Sequence, residues 1–285
     1  MRILALSDIH IDYDENRQWI ADLSDSDYKA DVLLLAGDVS HKFDQLMRVI
    51  SHLRGKFYKL FFVPGNHDLW IRAENWTDSV HKFNAIIDFC RKNDISIQPE
   101  SVPNAGKRRL TIYPLFSWYT EPQEGEDTLY WHKPGEDPQN RMWSDNYFIS
   151  WPNSVSPFHP VTYFTHLNES MMNVNPQGRV ITFSHFIPRQ EMMFNEFPPI
   201  IDMEKIKKYD RNPRFNFSRV AGSSLIDQQL RRLQSSIHVY GHQHINRDRE
   251  VEGVRYLSHA LGYPNERKRG MLRGIQNGLK TVLEI

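Results

Sequence analysis

Five short apolar runs, each ending in oxygen- or nitrogen-bearing side chains, constrain this chain more than any other feature. The clearest is Phe61-Phe62-Val63-Pro64-Gly65-Asn66-His67-Asp68, which breaks at Pro-Gly and then presents an amide, an imidazole and a carboxylate in succession. Met1 to Leu6 delivers Asp8 and His10, Val32 to Ala36 delivers Asp38, Val180 to Phe183 delivers His185, and Ile237 to Tyr240 delivers His242 and His244. Continuous apolar runs of this length suit strands buried on both faces. Ligand-type residues just beyond their ends suit a metal site at the carboxyl edge of a sheet.

Helical spacing separates the runs. Trp19, Ile20 and Leu23 mark a short helix; Leu46, Met47, Ile50 and Leu53 mark a second that ends near Gly55. A third, around Thr77 to Lys92, places Val80, Phe83, Ile87 and Cys90 on one face, with Thr77 or Asp78 as its cap. This alternation predicts a mostly parallel α/β sheet. Asp8 and His10, two positions apart, fall on one side of an extended chain. Ser96 to Pro99 and Leu110 to Leu115 read as shorter strands, Thr165 to Met172 as a helix, and Val254 to Leu257 and Leu279 to Ile285 as closing strands.

At 285 residues the chain suits a single domain over 1–285 with two insertions. Over about 119–161 regular patterning fails while prolines alternate with Trp131, Trp143, Tyr147 and Trp151. Trp118 and these tryptophans either pack the insertion or form a wall that stacks on a flat substrate group. The loop of about 186–222 is basic, with Arg189, Lys205, Lys207, Lys208, Arg211, Arg214 and Arg219. It leads into Gly222-Ser223-Ser224, a helix start whose free amides can meet an anion. Lys plus Arg equals Asp plus Glu at 35 each, so no net field attracts nucleic acid or anionic lipid. A lone Cys90 excludes an internal disulfide and suits a reducing compartment. No run approaches the roughly 18 apolar residues of a membrane span, and the expectation is a soluble cytoplasmic protein. The oligomeric state is not readable.

Asp8, His10, Asp38, Asn66, His185, His242 and His244 make a set of two carboxylates, one amide and four imidazoles. That mixture suits Mn, Fe or Zn better than Mg or Ca. Seven donors suit two ions, divalent or of mixed valence, with Asp38 as the bridge. Two carboxylates against two divalent ions leave about two positive charges, which a hydroxide and a phosphate ester can use.

Asp8-x-His10, Gly37-Asp38, Gly65-Asn66-His67-Asp68, a lone His185 and Gly241-His242-x-His244 match, in order, the motif set of the calcineurin-like metallophosphoesterase superfamily. The resemblance implies a four-layer α/β/β/α sandwich in place of one sheet. It implies that Asp8, His10, Asp38 and His244 hold one metal, and Asp38, Asn66, His185 and His242 the other. It places His67 against the substrate phosphate as general acid or hydrogen-bond donor, with a metal-bridging hydroxide attacking phosphorus in line. Asp68 is a candidate for orienting its loop. Asp38 is followed by Val39-Ser40-His41, which departs from the protein Ser/Thr phosphatases, and His41 stands where purple acid phosphatases carry a tyrosine. The small bacterial and plant members remain.

The implied function is hydrolysis of a small-molecule phosphate ester, diester before monoester, the latter a sugar or nucleotide phosphate. A nuclease and a non-catalytic binding scaffold of the same fold are the rivals. Arg214, Arg219 and Ser223 are candidates for a distal phosphate, and His41 and His259 for substrate contact or ligand support. His52, His81, His132, His159 and His238 lack motif context and read as surface or core residues. His166 also ends an apolar run, but Pro188 close after His185 favours the latter as the strand-tip ligand.

Overall fold

The computed structural model describes residues 1–72, 74–102, 109–139, 142–155, 159–172, 178–200, 204 and 212–285. The predicted Lys205, Lys207, Lys208 and Arg211 lie outside these.

Two sheets pack face to face, so the single sheet expected from alternation alone is corrected to the sandwich that the motif resemblance implied. The first sheet has four strands in the order β10 (Lys280–Glu284), β1 (Arg2–Leu6), β2 (Val32–Ala36), β3 (Lys59–Val63). The second has six: β4 (Glu100–Val102), β5 (Leu110–Pro114), β6 (Arg179–Phe183), β7 (Ile237–Tyr240), β9 (Val254–Ser258), β8 (Asp248–Val251). The runs β1-β2-β3 and β5-β6-β7-β9 are parallel, and the outer strands β10, β4 and β8 pair antiparallel. β2 faces β7 and β3 faces β5 across the interior. A strand buried on both faces reads as the same apolar run in one sheet or in two, which is why periodicity could not separate them.

Alternation in the second sheet fixes its two faces. Ile112, Ile181, Phe183, Ile237 and Val239 join β1, β2 and β3 in the interior core. Tyr113, Val180, Tyr240 and Tyr256 point outward and are covered by Leu230 of α6 (Ser224–Arg232) and by Leu233. Against the first sheet, α2 (Phe43–Lys56) buries Leu46, Met47, Ile50 and Leu53. Beside it lies α3 (Ser79–Lys92), capped by Asp78, whose side chain accepts from the His81 amide. The buried face of α3 carries Lys82 and Ile86 with Phe83, Ile87 and Cys90; Val80 is only half-buried, one position off the expected stripe. Ser96 makes a single bridge to Phe61 instead of a strand. The helix expected from Thr165 begins earlier, as α5 (His159–Met171). The hairpin of β8 and β9 is partly missing from the sequence reading because Asp248-Arg249-Glu250 carries no apolar alternation.

His238 of β7 is fully buried between Thr182 and Ser184, whose hydroxyls lie 2.8 and 3.0 Å from its ring nitrogens. Burial pushes its pKa down to about 3. Between the unfolded histidine's value near 6.5 and that figure, the unfolded chain binds a proton that the native one refuses. Stability is therefore lost as pH falls through this window, by about 1.4 kcal/mol per pH unit from this group. His238→Gln is expected to remove that increment from the pH slope of denaturant midpoints between pH 6.5 and 4; identical slopes would disprove it.

Candidate metal centre

The carboxyl ends of β1, β2, β3, β6 and β7 all open on one edge of the sandwich. The residues beyond them are not extended, as the Asp8–His10 spacing argument assumed. Asp8, His10, Asp38, His242 and His244 all have left-handed backbone, with φ of 51°, 44°, 56°, 76° and 53°. Such conformations are strained for residues with a Cβ, and here they curl the tips of β1, β2 and β7 so that the side chains turn inward, while Asn66 after β3 is right-handed. Two glycines allow the tips to meet. A Cβ on Gly37 would fall 2.6 Å from the Gly65 nitrogen, and one on Gly65 would fall 2.2 Å from Asp38 Oδ1.

The structure brings all seven predicted donors together, none more than 8% exposed. In one group, His10 Nε2 lies 3.0 Å from His244 Nε2, which is 3.4 Å from Asp8 Oδ1. In the other, His185 Nε2 lies 3.1 Å from Asn66 Oδ1, 3.2 Å from His242 Nδ1 and 3.5 Å from Asp38 Oδ1. Asp38 spans both groups, since its Oδ2 is 3.9 Å from His10 Nε2.

The donor chemistry fits metal ions. His185 Nδ1 donates to the Ala36 carbonyl at 2.9 Å and His242 Nε2 to the Val220 carbonyl at 3.0 Å. Those carbonyls fix the tautomers, so the inward nitrogens present lone pairs to each other and to two oxygens. Donors about 2.0–2.2 Å from an ion stand roughly 3.0–3.5 Å from one another, as these do. Burial first, then neighbouring charge, holds His10 and His242 well below the usual histidine value, the neutral state ligation requires. Asp38 is pushed well up by burial and then by Asp68 and Asp8, a repulsion that a cation relieves. His244 differs. Burial alone lowers it, but Asp8 and Glu266, whose Oε2 is 2.8 Å from Nδ1, raise it to about 10. An ion held by His244 would have to displace a proton from it, so uptake is expected to weaken as pH falls.

His67 stacks on Trp70 with centroids 3.7 Å apart and lines a cavity of about 240 Å³ beside the donors. Its Nε2 is 3.9 Å from Asp38 Oδ2, and burial holds its pKa well down. Asp68 is buried and does more than the sequence suggested. Its Oδ1 accepts from the Val39 and Ser40 amides at 2.8 and 3.0 Å, and its Oδ2 from the Asp38 and Gly65 amides, both at 2.9 Å.

Besides Glu266 and Trp70, the supporting residues Asp145 and Tyr263 escaped the sequence reading. Asp145, in the aromatic insertion on α4 (Asp145–Phe148), accepts from Asn66 Nδ2 at 2.9 Å, Trp70 Nε1 at 2.6 Å and Trp143 Nε1 at 2.7 Å. These bonds fix the amide flip that aims Asn66 Oδ1 at His185. Nothing local signals that contact, although the tryptophans around Asp145 were visible. Tyr263 covers His10 and His244 at 4.6 and 4.8 Å between ring centroids. Asp145→Ala is expected to cost roughly 10–100-fold in metal affinity, as loss of an outer partner does; titration of the stripped variant with metal checks it.

The other predicted contacts lie elsewhere. His41 faces Asp12 at 3.2 Å, Arg214 pairs with Asp137, and Arg219 stands 3.8 Å from Glu136. Ser223 is fully buried, caps α6 at the Leu225 amide and takes a bond from Thr120, so its helix start offers no open anion site. None of the four lines the cavity at the donors. His259 bonds the Gly278 carbonyl, and His159 pairs with Glu124.

Sheet order, strand-tip ligands and donor geometry together define a metallophosphoesterase. The family described as calcineurin-like phosphoesterase matches residues 1–246, and the chain belongs to it. It is a metal-dependent phosphoric ester hydrolase. It is 24% identical over 271 residues, 93% of this chain and 79% of the relative, to PptH, an [acyl-carrier-protein] phosphodiesterase of Mycobacterium tuberculosis. The crystal structure of that organism's phosphopantetheinyl hydrolase, PptH, superposes with a TM-score of 0.74 at 20% identity, covering 100% of this chain and 96% of the other. Among the described residues no helix is long and apolar enough to cross a membrane.

Proposed function

We propose that this protein hydrolyses a phosphodiester, and that its substrate is the phosphopantetheinyl group carried on a serine of an acyl carrier protein. This replaces the small-molecule ester expected from the motifs. The observation that supports it is the likeness to PptH along 93% of the chain. Asp8, His10, Asp38 and His244 would hold one ion, and Asp38, Asn66, His185 and His242 the second. When bound, the ions supply a nucleophile at neutral pH and compensate the phosphate charge.

The chain's own groups do the rest. Asn66, held by Asp145, fixes one side of the phosphate. His67 is neutral in the ligand-free protein and offers an N–H to the oxygen on which charge develops. Stacking on Trp70 keeps its ring edge toward the cavity. Trp143, Phe217 and Tyr263 complete the wall and limit water around the ester. The P–O bond to the serine breaks, oxygen from water joins phosphorus, and the serine oxygen leaves with a proton.

The test is to strip the protein, restore Mn, Fe, Zn or Ni singly, and follow release of 4′-phosphopantetheine from holo-acyl carrier protein. Bis-p-nitrophenyl and p-nitrophenyl phosphate serve as simple diester and monoester. Metal-dependent release, with diester cleaved faster than monoester, is the expected result. Monoester cleavage alone would overturn the diester reading.

A further inference from the structure

A second, larger cavity of about 810 Å³ adjoins the metal centre, bordered by Trp131, Met193, Phe194, Ile200, Phe215 and Phe217. We infer that it seats the pantetheine arm of the substrate while the phosphate sits at the donor cluster, an assignment that rests on the substrate reading above. Its volume lies within the roughly 300–1,000 Å³ of small-molecule sites. It shares Phe217 and Gln243 with the cavity at the donors, so one ligand can occupy both. The connecting wall is aromatic. Trp143 stacks on Phe215 at 5.7 Å and meets His242 edge-on at 5.6 Å, and Phe217 lies 5.3 Å from His242.

Three polar side chains along this wall, those of Gln243, Asn216 and Ser218, are already engaged with the protein. Gln243 donates to the Met193 carbonyl and accepts from Arg247, both bonds near 2.9 Å or shorter. Asn216 donates to the Trp131 carbonyl at 2.8 Å, and the Ser218 hydroxyl to the same carbonyl at 3.0 Å. A nucleobase stacked on Phe217 would find Gln243, Asn216 and Ser218 already bonded elsewhere, at a cost that pockets built for such edges avoid. A flexible chain with a dimethyl carbon beside the phosphate, methylenes and a terminal sulfur matches the apolar wall. Its amides can face the exposed rim at Asn195 and Glu196.

The decisive measurement is inhibition of bis-p-nitrophenyl phosphate hydrolysis by 4′-phosphopantetheine and by inorganic phosphate, using the metal-loaded full chain. The wild type is expected to bind 4′-phosphopantetheine at least tenfold more tightly than phosphate. Trp131→Ala should reduce that ratio about tenfold, as should Ile200→Arg, a change at a residue 80% exposed and so free of folding consequences. Equal inhibition of the wild type by the two compounds, or an unchanged ratio in both variants, overturns the assignment. If the ratio behaves as expected while holo-acyl carrier protein is left intact, the cavity assignment stands and only the protein-substrate reading fails.

Discussion

His67→Ala is expected to lower kcat on a diester by about 10²–10⁴, the range for loss of a positioned proton donor, with metal content unchanged. The geometry makes this a sharp test. His10, Asp38 and His67 also converge closely enough to hold an ion, so His67 could in principle be a ligand. Its stacking on Trp70 and its place in the cavity wall favour the substrate-facing role. Metal analysis beside kinetics separates the two. Normal metal content with lost turnover fits a donor, while loss of an ion together with turnover assigns His67 to the metal shell. Unchanged turnover removes it from the reaction.

Asp68→Ala has the second large effect, on stability and metal loading together. Its carboxylate is the acceptor for four buried amides belonging to the loops after β2 and β3. Each amide left unpaired costs about 1–3 kcal/mol, so the alanine variant is expected to lose at least about 4 kcal/mol. Asp68→Asn is the instructive comparison. It keeps an oxygen for two of the amides and turns an NH2 group toward the other two, so its loss should be about half as large. Denaturant unfolding with and without metal reads both. Equal and small losses would mean that water replaces the carboxylate and that the loops hold without it.

The donor residues were legible because each sits within a few positions of its own strand end. An apolar run followed by a polar residue encodes a strand tip locally, whatever strand lies beside it. The pairing of Asp8 with His244, or of Asn66 with His185, depends on where those strands lie in the sandwich. The motif set supplied that pairing by resemblance, and periodicity did not. Arg214 and Arg219 of the basic segment lie away from the donor cavity for an electrostatic reason. Arg214 and Arg219 look available in a list of charges, yet each finds a carboxylate, Asp137 or Glu136, in the aromatic insertion.

By itself, then, the sequence determined the strands that lead into the site, the order in which they present candidate donors, and the mixed oxygen and nitrogen chemistry of that donor set, because these are short-range properties of the chain. Only the tertiary structure decided how the strands divide between the two sheets and that left-handed turns after β1, β2 and β7 bring their donors inward. It also decided that Asp145 and Tyr263 complete the site from segments 79 and 197 positions beyond Asn66. Those contacts join loops without periodicity, and the burial that makes each of them strong exists only after the sandwich has closed around it.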